Sequence, residues 1–172
     1  MELFDYHCKA KSDINEHLPV LRDLARECKS VCEMGVRYVV STWAFAEGLP
    51  EGGKLLCIDI KEPSEYGGTL DNITQDCEAK GIEFKFKKES TLECKIPKVD
   101  LLFIDTDHTY TQLSQELKLH ADKAQKYIAM HDTVSCKDEL IPAIEEFLGH
   151  NPEWQIHAHY ENCNGVMVLS RV

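Results

Sequence analysis

Two groups of acidic and histidine side chains stand out in this sequence, each directly after an apolar run. Asp105, Asp107 and His108 follow the first run. His131 and Asp132 follow the second. Carboxylates and imidazoles bind divalent cations and transfer protons near neutral pH. If the fold brings the two groups together, they could hold a metal ion and take a proton from a substrate.

The runs themselves are typical of buried strands, and this predicts where the polar groups lie. Residues 99–105 and 127–131 are rich in Val, Ile, Leu, Phe and Tyr, which fit a pleated interior surface. Charged side chains stay out of that interior, so they are expected where the strands surface. In an open α/β sheet, ligands bind in the crevice at the carboxyl ends of the strands.

The rest of the chain alternates between strand patterns and helix patterns. Predicted strands cover 31–34, 54–60, 82–86, 99–105, 127–131, 154–160 and 166–172. Predicted helices cover 13–29, 41–47, 69–80, 110–123 and 138–148, with Pro142 interrupting the last or marking its start. This alternation indicates a parallel α/β sheet. The last two strands are too close in sequence for a crossover, so we expect an antiparallel hairpin, in which residues 154, 156, 158 and 160 face one way.

Composition narrows the possible partners. The 172 residues suit a single domain, 1–172. The net charge of −11 disfavours nucleic acid and anionic membranes as partners. We see no membrane-length apolar stretch and no secretory signal, and the eight cysteines form no C-x-x-C pair. We therefore expect a cytoplasmic protein with reduced, mostly buried thiols.

The first strand and its turn indicate a small nucleoside cofactor. Gly35 lets the backbone approach a ligand closely, and the helix opening near Ser41 has free N–H groups that favour an anion. Asp59 ends the second strand, where a ribose diol would be held. A dinucleotide usually needs three glycines here, whereas S-adenosylmethionine has a ribose and a carboxylate but no pyrophosphate. The alternative interpretation is an ordinary strand–helix turn beside a surface acid.

Taken together, these segments resemble a known family. Residues 31–42, 57–60, 100–110 and 131–133 are similar to class I S-adenosylmethionine-dependent methyltransferases. The similarity is greatest to the small branch related to sugar and macrolide O-methyltransferases and cephalosporin-hydroxylase-like proteins. The resemblance implies a Rossmann-like, seven-stranded, mostly parallel sheet of order 3-2-1-4-5-7-6, with the last strand antiparallel and helices on both faces.

The resemblance also implies cofactor contacts. Glu33 and Gly35 would line the methionine end of the cofactor, together with Ser41 at the start of the following helix. Asp59 would hold the ribose hydroxyls. Glu89 and Ser90, after the third strand, would lie near the adenine.

The remaining implied roles concern metal and proton transfer. Asp105, His131 and Asp132 correspond to the positions that bind a divalent cation in metal-dependent members, and Asp105 would also border the cofactor. The mainly oxygen ligands favour Mg²⁺, Mn²⁺ or Ca²⁺, and the imidazole would also accept Zn²⁺ or Fe²⁺. Asp107 would be the general base, with His108 as a second candidate for taking the proton.

Three features depart from the family pattern. Val39 stands where relatives usually carry a second glycine, so we expect the cofactor turn to be built differently. His131 replaces an acid that many metal-dependent relatives carry. The chain also lacks the long lid insertion of larger members, so acceptor binding is expected to need a second subunit in a homo-oligomer.

The resulting prediction is an S-adenosylmethionine-dependent O-methyltransferase that acts on a hydroxyl of a small acceptor, with a sugar as one candidate and a divalent metal as a candidate aid. One alternative is a binding module of the same fold with little or no catalysis. The other is a metal-dependent hydrolase or hydroxylase that uses the acidic residues without a methyl donor.

Overall fold

The structure is a computed structural model that describes residues 2–172. The seven strands, in chain order, are β1 (Ser30–Met34), β2 (Lys54–Asp59), β3 (Glu83–Lys88), β4 (Val99–Ile104), β5 (Ala124–His131), β6 (Trp154–Tyr160) and β7 (Val166–Arg171). The six α-helices are α1 (Glu2–Lys9), α2 (Leu18–Arg26), α3 (Val40–Gly48), α4 (Asp71–Ala79), α5 (Tyr110–His120) and α6 (Lys137–His150). Within the described residues, no helix has the length and apolar character needed to cross a bilayer.

All seven strands belong to one sheet of order β3-β2-β1-β4-β5-β7-β6. Neighbours among β1 to β5 are parallel, whereas β7 is antiparallel to both β5 and β6. The predicted order and the antiparallel last strand are therefore confirmed.

Strand β4 shows why the sheet needs helices on both faces. Leu101 and Phe103 enter one apolar cluster, and Leu102 and Ile104 enter another on the opposite face. Helices α1 to α4 contribute to the first cluster, and α5 and α6 to the second. Because successive side chains of a strand point to opposite faces, a continuous apolar run is stable only when both faces are covered.

Several predicted helix boundaries need correction. Helix α1 was not predicted, because among its side chains with described burial only Phe4 is buried and no apolar stripe marks the helix. The predicted helix 13–29 is divided into a 3₁₀ turn, Asn15–His17, and α2. Pro142 neither interrupts nor starts α6, since it lies inside a helix that begins at Lys137. The N–H that proline lacks would have bonded the carbonyl of Asp138, so the helix continues with one hydrogen bond fewer.

The predicted alternation along β6 is also wrong in its middle. The pairing with β7 shifts register between Ile156 and Ala158, as in a β-bulge. Trp154 consequently packs in the second apolar cluster, whereas Ala158 packs against the first, on the opposite face of the sheet. A bulge turns the following side chains relative to the sheet, which a simple period of two does not anticipate.

Candidate functional site

The register of the parallel strands brings four predicted site residues to one edge of the sheet. Met34 pairs with Ile58 of β2 and with Ile104 of β4, and Ile104 pairs with Met130 of β5. The residues one step further along are Gly35, Asp59, Asp105 and His131. These four positions therefore lie side by side, as the strand order implied by the family resemblance predicted.

Gly35 is needed for this close approach. Its φ of +87° is in the left-handed region, and a Cβ atom built on it would lie 1.9 Å from the carbonyl oxygen of Asp105. The tip of β4 thus occupies the space beside the glycine. Close approach of a ligand was the predicted reason for this glycine, but the neighbouring strand already requires it.

Asp59 holds the loop that joins β1 to α3. Its Oδ2 accepts hydrogen bonds from the backbone N–H groups of Val36, at 2.8 Å, and Arg37, at 3.0 Å. Its Oδ1 accepts one from Lys61 N–H at 2.9 Å. The carboxylate is therefore fixed in place before any ligand contacts it.

The same loop contains two residues other than glycine with left-handed backbone conformations. Arg37 has a φ of 46° and Val39 a φ of 63°. The expectation that Val39 forces a differently built turn needs correction, because Val39 adopts the conformation that glycine would adopt most easily. A β-branched residue there is strained by roughly 1–2 kcal/mol.

Glu33 and Ser41, both predicted to contact the cofactor, contact each other. Ser41 Oγ donates to Glu33 Oε1 at 2.5 Å, and Thr42 Oγ1 donates to Oε2 at 2.7 Å. Glu33 is fully buried, and burial raises its pKa to about 7 despite these bonds. Its carboxylate thus lies behind Ser41 and anchors the start of α3, and Glu33 is not among the residues that line the two cavities described next.

Two cavities open beside the strand ends. We call the first the Asp59 cavity; it measures about 430 Å³ and is lined by Gly35, Arg37, Asp59, Ile60, Tyr66, Ser90, Thr91, Asp105, Thr106, Asp107 and Gln112. We call the second the Asp132 cavity; it measures about 100 Å³ and is lined by Asp13, Ile14, Gly35, Val36, Arg37, Tyr38, Val40, Ser41, Asp105, Thr106, His108 and Asp132. Gly35, Arg37, Asp105 and Thr106 line both, so the two cavities adjoin.

The predicted residues after β3 divide between wall and surface. Ser90 lines the Asp59 cavity. Glu89 is not among the residues that line it; its backbone N–H donates to the carbonyl of Asp59, and its carboxylate lies 4.0 Å from Lys87 Nζ.

A cluster of two carboxylates and two imidazoles borders the Asp132 cavity. His108 Nε2 lies 3.1 Å from Asp105 Oδ1 and 3.0 Å from Asp132 Oδ2. His131 Nδ1 lies 3.3 Å and 3.1 Å from the same two oxygens. We call these four residues the His–Asp cluster. Asp107, by contrast, is exposed and is not part of it.

The residues of the cluster strongly shift one another's pKa values. Hydrogen bonds to Asp105 and Asp132 raise the pKa of His108 to about 10. Burial acts to lower the pKa of His131, but bonds to the same carboxylates outweigh it and raise that pKa to about 11. Burial acts to raise the pKa of Asp132, yet bonds from the two histidines hold it well below its usual range. Both imidazoles are therefore protonated while the carboxylates face only them.

The donor set fits a divalent cation. One ligand atom from each of Asp105, His131 and Asp132 lies within 4.8 Å of the others. His131 Nε2 lies 3.0 Å from the carbonyl oxygen of Asp13. When the imidazole is neutral, a proton held on Nε2 by that carbonyl leaves Nδ1 with a lone pair directed at the two carboxylates. The three predicted metal ligands can thus supply two oxygens and one nitrogen.

Sequence reasoning missed two parts of the site. The segment around Asp13 covers His131, and the turn at Cys163 contacts that segment through Cys163 Sγ, 3.1 Å from Asp13 O. Gln112 and Glu116 lie beneath the Asp59 cavity. Their spacing of four along α5 was the available signal, since residues four apart share one helix face.

A family described as O-methyltransferase matches residues 8–135. No curated protein sequence matched.

Solved structures share the fold at low sequence identity. An O-methyltransferase from Bacillus cereus in complex with SAH has a TM-score of 0.66 and 16% identity, over 99% of this chain and 89% of that one. SAH-bound methyltransferase PaMTH1 from Podospora anserina gives 0.67 and 13%, over 99% and 86%. The O-methyltransferase TomG from Streptomyces achromogenes, involved in tomaymycin synthesis and in complex with SAM, gives 0.64 and 14%, over 100% and 90%.

These likenesses establish the fold, and the family match covers well over half of the 172 residues. With its strand order, its glycine at the tip of β1 and its acid at the tip of β2, this chain belongs to the O-methyltransferase family.

Proposed function

We propose that the protein transfers a methyl group from S-adenosylmethionine to a hydroxyl of a small acceptor, with the help of a divalent metal ion. The observation that carries the proposal is the adjacency of the two cavities. One has a fixed acid at the tip of β2, and the other is lined by Asp105, His108 and Asp132 of the His–Asp cluster. A donor in the first cavity and an acceptor in the second would meet at Gly35 and Asp105. The SAM and SAH in related structures support the same donor.

In this proposal the Asp59 cavity holds the cofactor. Asp59 Oδ2 already accepts two backbone hydrogen bonds, whereas Oδ1 accepts only one and keeps a second lone pair to which a ribose hydroxyl can donate. Ser90 also lines the Asp59 cavity and would face the adenine. Gly35 would border the methionine end, where the two cavities adjoin.

The Asp132 cavity would hold the acceptor. Asp105, His131 and Asp132 are the residues that would hold the cation. Such a cation would supply Lewis-acid chemistry that lowers the pKa of the acceptor hydroxyl, and it would offset the carboxylate charge that otherwise keeps the proton on His108. Arg37 and Tyr38 form the outer wall, with the guanidinium 4.9 Å from the centre of the tyrosine ring. Acceptors with adjacent hydroxyls, sugars included, suit such a site.

We assign the proton transfer to His108 in place of Asp107. His108 lines the Asp132 cavity and touches both carboxylates of the cluster. Asp107 lines the Asp59 cavity, and its carboxylate lies 3.4 Å from Thr109 Oγ1. A general base must reach the proton that it removes, and the acceptor would be on the side of His108.

Binding and turnover test the proposal separately. Isothermal titration with S-adenosylhomocysteine should show saturable one-site binding, and a methyl-transfer assay over sugars and catechols should show turnover that a chelator abolishes. Because Asp59 also holds a loop, its ribose contact is best tested on the ligand, with the 2′-deoxy analogue as the matched control. Binding without turnover on any acceptor would favour the non-catalytic module, and no binding at all would reject the donor.

A further inference from the structure

A buried carboxylate beneath the Asp59 cavity has no part in the proposed methyl transfer. Glu116 of α5 has no exposed surface. Its Oε1 accepts a hydrogen bond from Thr91 Oγ1 at 2.5 Å, and Thr106 Oγ1 lies 2.9 Å from each of its oxygens. A charged group removed from water persists only when it is hydrogen-bonded in this way. The hydrogen-bond partners of Glu116 also include Gln112, whose side chain it orients.

Glu116 determines which way the amide of Gln112 points. Gln112 Nε2 donates to Glu116 Oε1 at 2.9 Å and to Thr91 Oγ1 at 3.1 Å. The Thr91 hydroxyl already donates its own proton to Glu116, so toward Gln112 it can only accept. Both neighbours of the amide are therefore acceptors. In the opposite orientation the amide oxygen would face Glu116 Oε1 and Thr91 Oγ1, and no hydrogen bond could form between these oxygens.

The carbonyl oxygen of Gln112 is consequently turned away from this network. Gln112 lines the Asp59 cavity, and among the described residues no hydrogen bond to its Oε1 is found. The cavity thus presents a fixed acceptor on the wall formed by α5 and the residues after β3. Ser90, which the proposed function places near the adenine, lines the same cavity, so this wall would face the base of the nucleoside.

We propose that Gln112 selects the nucleobase of the cofactor by accepting a hydrogen bond from an exocyclic amino group, and that Glu116 is the positioning residue that holds its amide in that orientation. The ligand class is a 6-aminopurine nucleoside. Adenine carries a donor at this position, whereas hypoxanthine carries a carbonyl oxygen that would oppose the oxygen of Gln112. The inference rests on the proposed function, because it assumes that the Asp59 cavity holds the nucleoside.

The test compares two ligands that differ only at this position. Isothermal titration with S-adenosylhomocysteine and S-inosylhomocysteine should show that the wild-type protein prefers the adenine ligand roughly 10- to 100-fold, as expected for one buried hydrogen bond and its unpaired counterpart. Gln112→Ala should bind the two ligands with affinities within about threefold of each other, because no directed acceptor remains. Gln115→Ala, on an exposed position of the same helix, is the matched control and should keep the wild-type preference.

Glu116→Gln distinguishes positioning from general support of the fold. The new amide can donate to Gln112, so the Gln112 side chain can turn over and present its N–H group to the cavity. The preference for adenine should then narrow or reverse, whereas a merely structural role would weaken both ligands equally. This conservative variant also keeps the test valid if Gln112→Ala fails to fold.

The outcomes separate this inference from the proposed function. If the wild-type protein binds S-adenosylhomocysteine and Gln112→Ala retains the full preference, the role of Gln112 is refuted and the proposed cofactor stands. If the wild-type protein binds neither ligand, the cofactor proposal fails, and the base-selecting role fails with it.

Discussion

His108 illustrates how far the chemistry of a single residue depends on its partners. Its imidazole lies within 3.1 Å of two carboxylates, which raise its pKa to about 10. In that state it holds a proton and cannot accept another at neutral pH. A base role for His108 therefore depends on cation binding to the same carboxylates.

We expect His108→Gln to lower turnover by on the order of 10²-fold or more, while affinity for S-adenosylhomocysteine stays unchanged. The reason is that His108 faces the acceptor side and contacts the cofactor side only through Asp105. Steady-state kinetics and titration on the same protein measure the two effects. Asp107→Asn is the paired variant, and a large loss in that variant alone would return the role of base to Asp107.

Glu33 should make stability depend on pH. Burial raises its pKa from 4.5 to about 7, so the folded state binds its proton more tightly than the unfolded chain does. The stabilising contribution is present below about pH 4.5 and is lost as the pH rises through 7, with a limit on the order of 3 kcal/mol.

Urea unfolding between pH 4.5 and 8 measures this contribution. The free energy of unfolding of the wild-type protein should decrease over that interval more steeply than that of Glu33→Gln, whose neutral amide does not titrate. Glu78→Gln, on an exposed position of α4, should keep the wild-type slope. Parallel curves for the wild-type protein and Glu33→Gln would show that Glu33 is ionised throughout.

Among the elements, the loop from β1 to α3 carries backbone strain next to the site. Arg37 and Val39 both have left-handed backbones, and the first has its N–H bonded to Asp59. Asp132, at the end of β5, is also left-handed, with a φ of 58°. Backbone strain of this kind persists where surrounding contacts enforce it, often at functional sites.

The strain at Val39 can be measured, because it should reverse the usual order of stability of the alanine and glycine variants. Val39→Gly should be more stable than Val39→Ala by about 1 kcal/mol, because alanine loses the buried methyl groups and still pays the left-handed penalty. At Val40, which begins α3, the ordinary order should hold, with alanine the more stable by about 1 kcal/mol. Thermal or urea unfolding of the four variants decides the matter. Alanine above glycine at both positions would mean that Val39 is not left-handed in solution.

On the scale of the whole molecule, all eight cysteines are free. Five are buried, and Cys8, Cys136 and Cys163 are partly exposed. We expect a thiol reagent to modify no more than these three quickly in the native protein and all eight after denaturation. Titration with a chromogenic disulfide counts the reactive thiols in the native and in the denatured protein. Non-reducing gels are the control for disulfides between chains. Fewer than eight in the denatured protein would reveal a disulfide that the structure does not have.

Ligand binding should be visible in the stability of the entire chain. S-adenosylhomocysteine at 100 times its Kd should add about 2.7 kcal/mol, which raises Tm by roughly 5–10 °C for a chain of this size. Mn²⁺ should add a further shift that EDTA removes, while the shift from S-adenosylhomocysteine persists in EDTA. A shift from S-adenosylhomocysteine that disappears with EDTA would mean that the two sites are not separate.

The sequence by itself determined the architecture and the location of the site. Continuous apolar runs such as 99–104 must be buried on both faces, so they become central parallel strands with helices on either side. Parallel strands end at one edge, and with the strand order that the family resemblance implies, this predicts that Gly35, Asp59, Asp105 and His131 lie together.

Only the tertiary structure decided what each polar group contacts there. Glu33 lies behind Ser41, Asp107 lies apart from the His–Asp cluster, and Gln112 is held by Glu116. The physical reason is that strand periodicity reports burial and direction, whereas a hydrogen bond depends on separations of a few tenths of an ångström between segments distant in sequence. Local sequence patterns do not predict those separations, so the hydrogen-bond partners of a buried acid are known only from the packed structure.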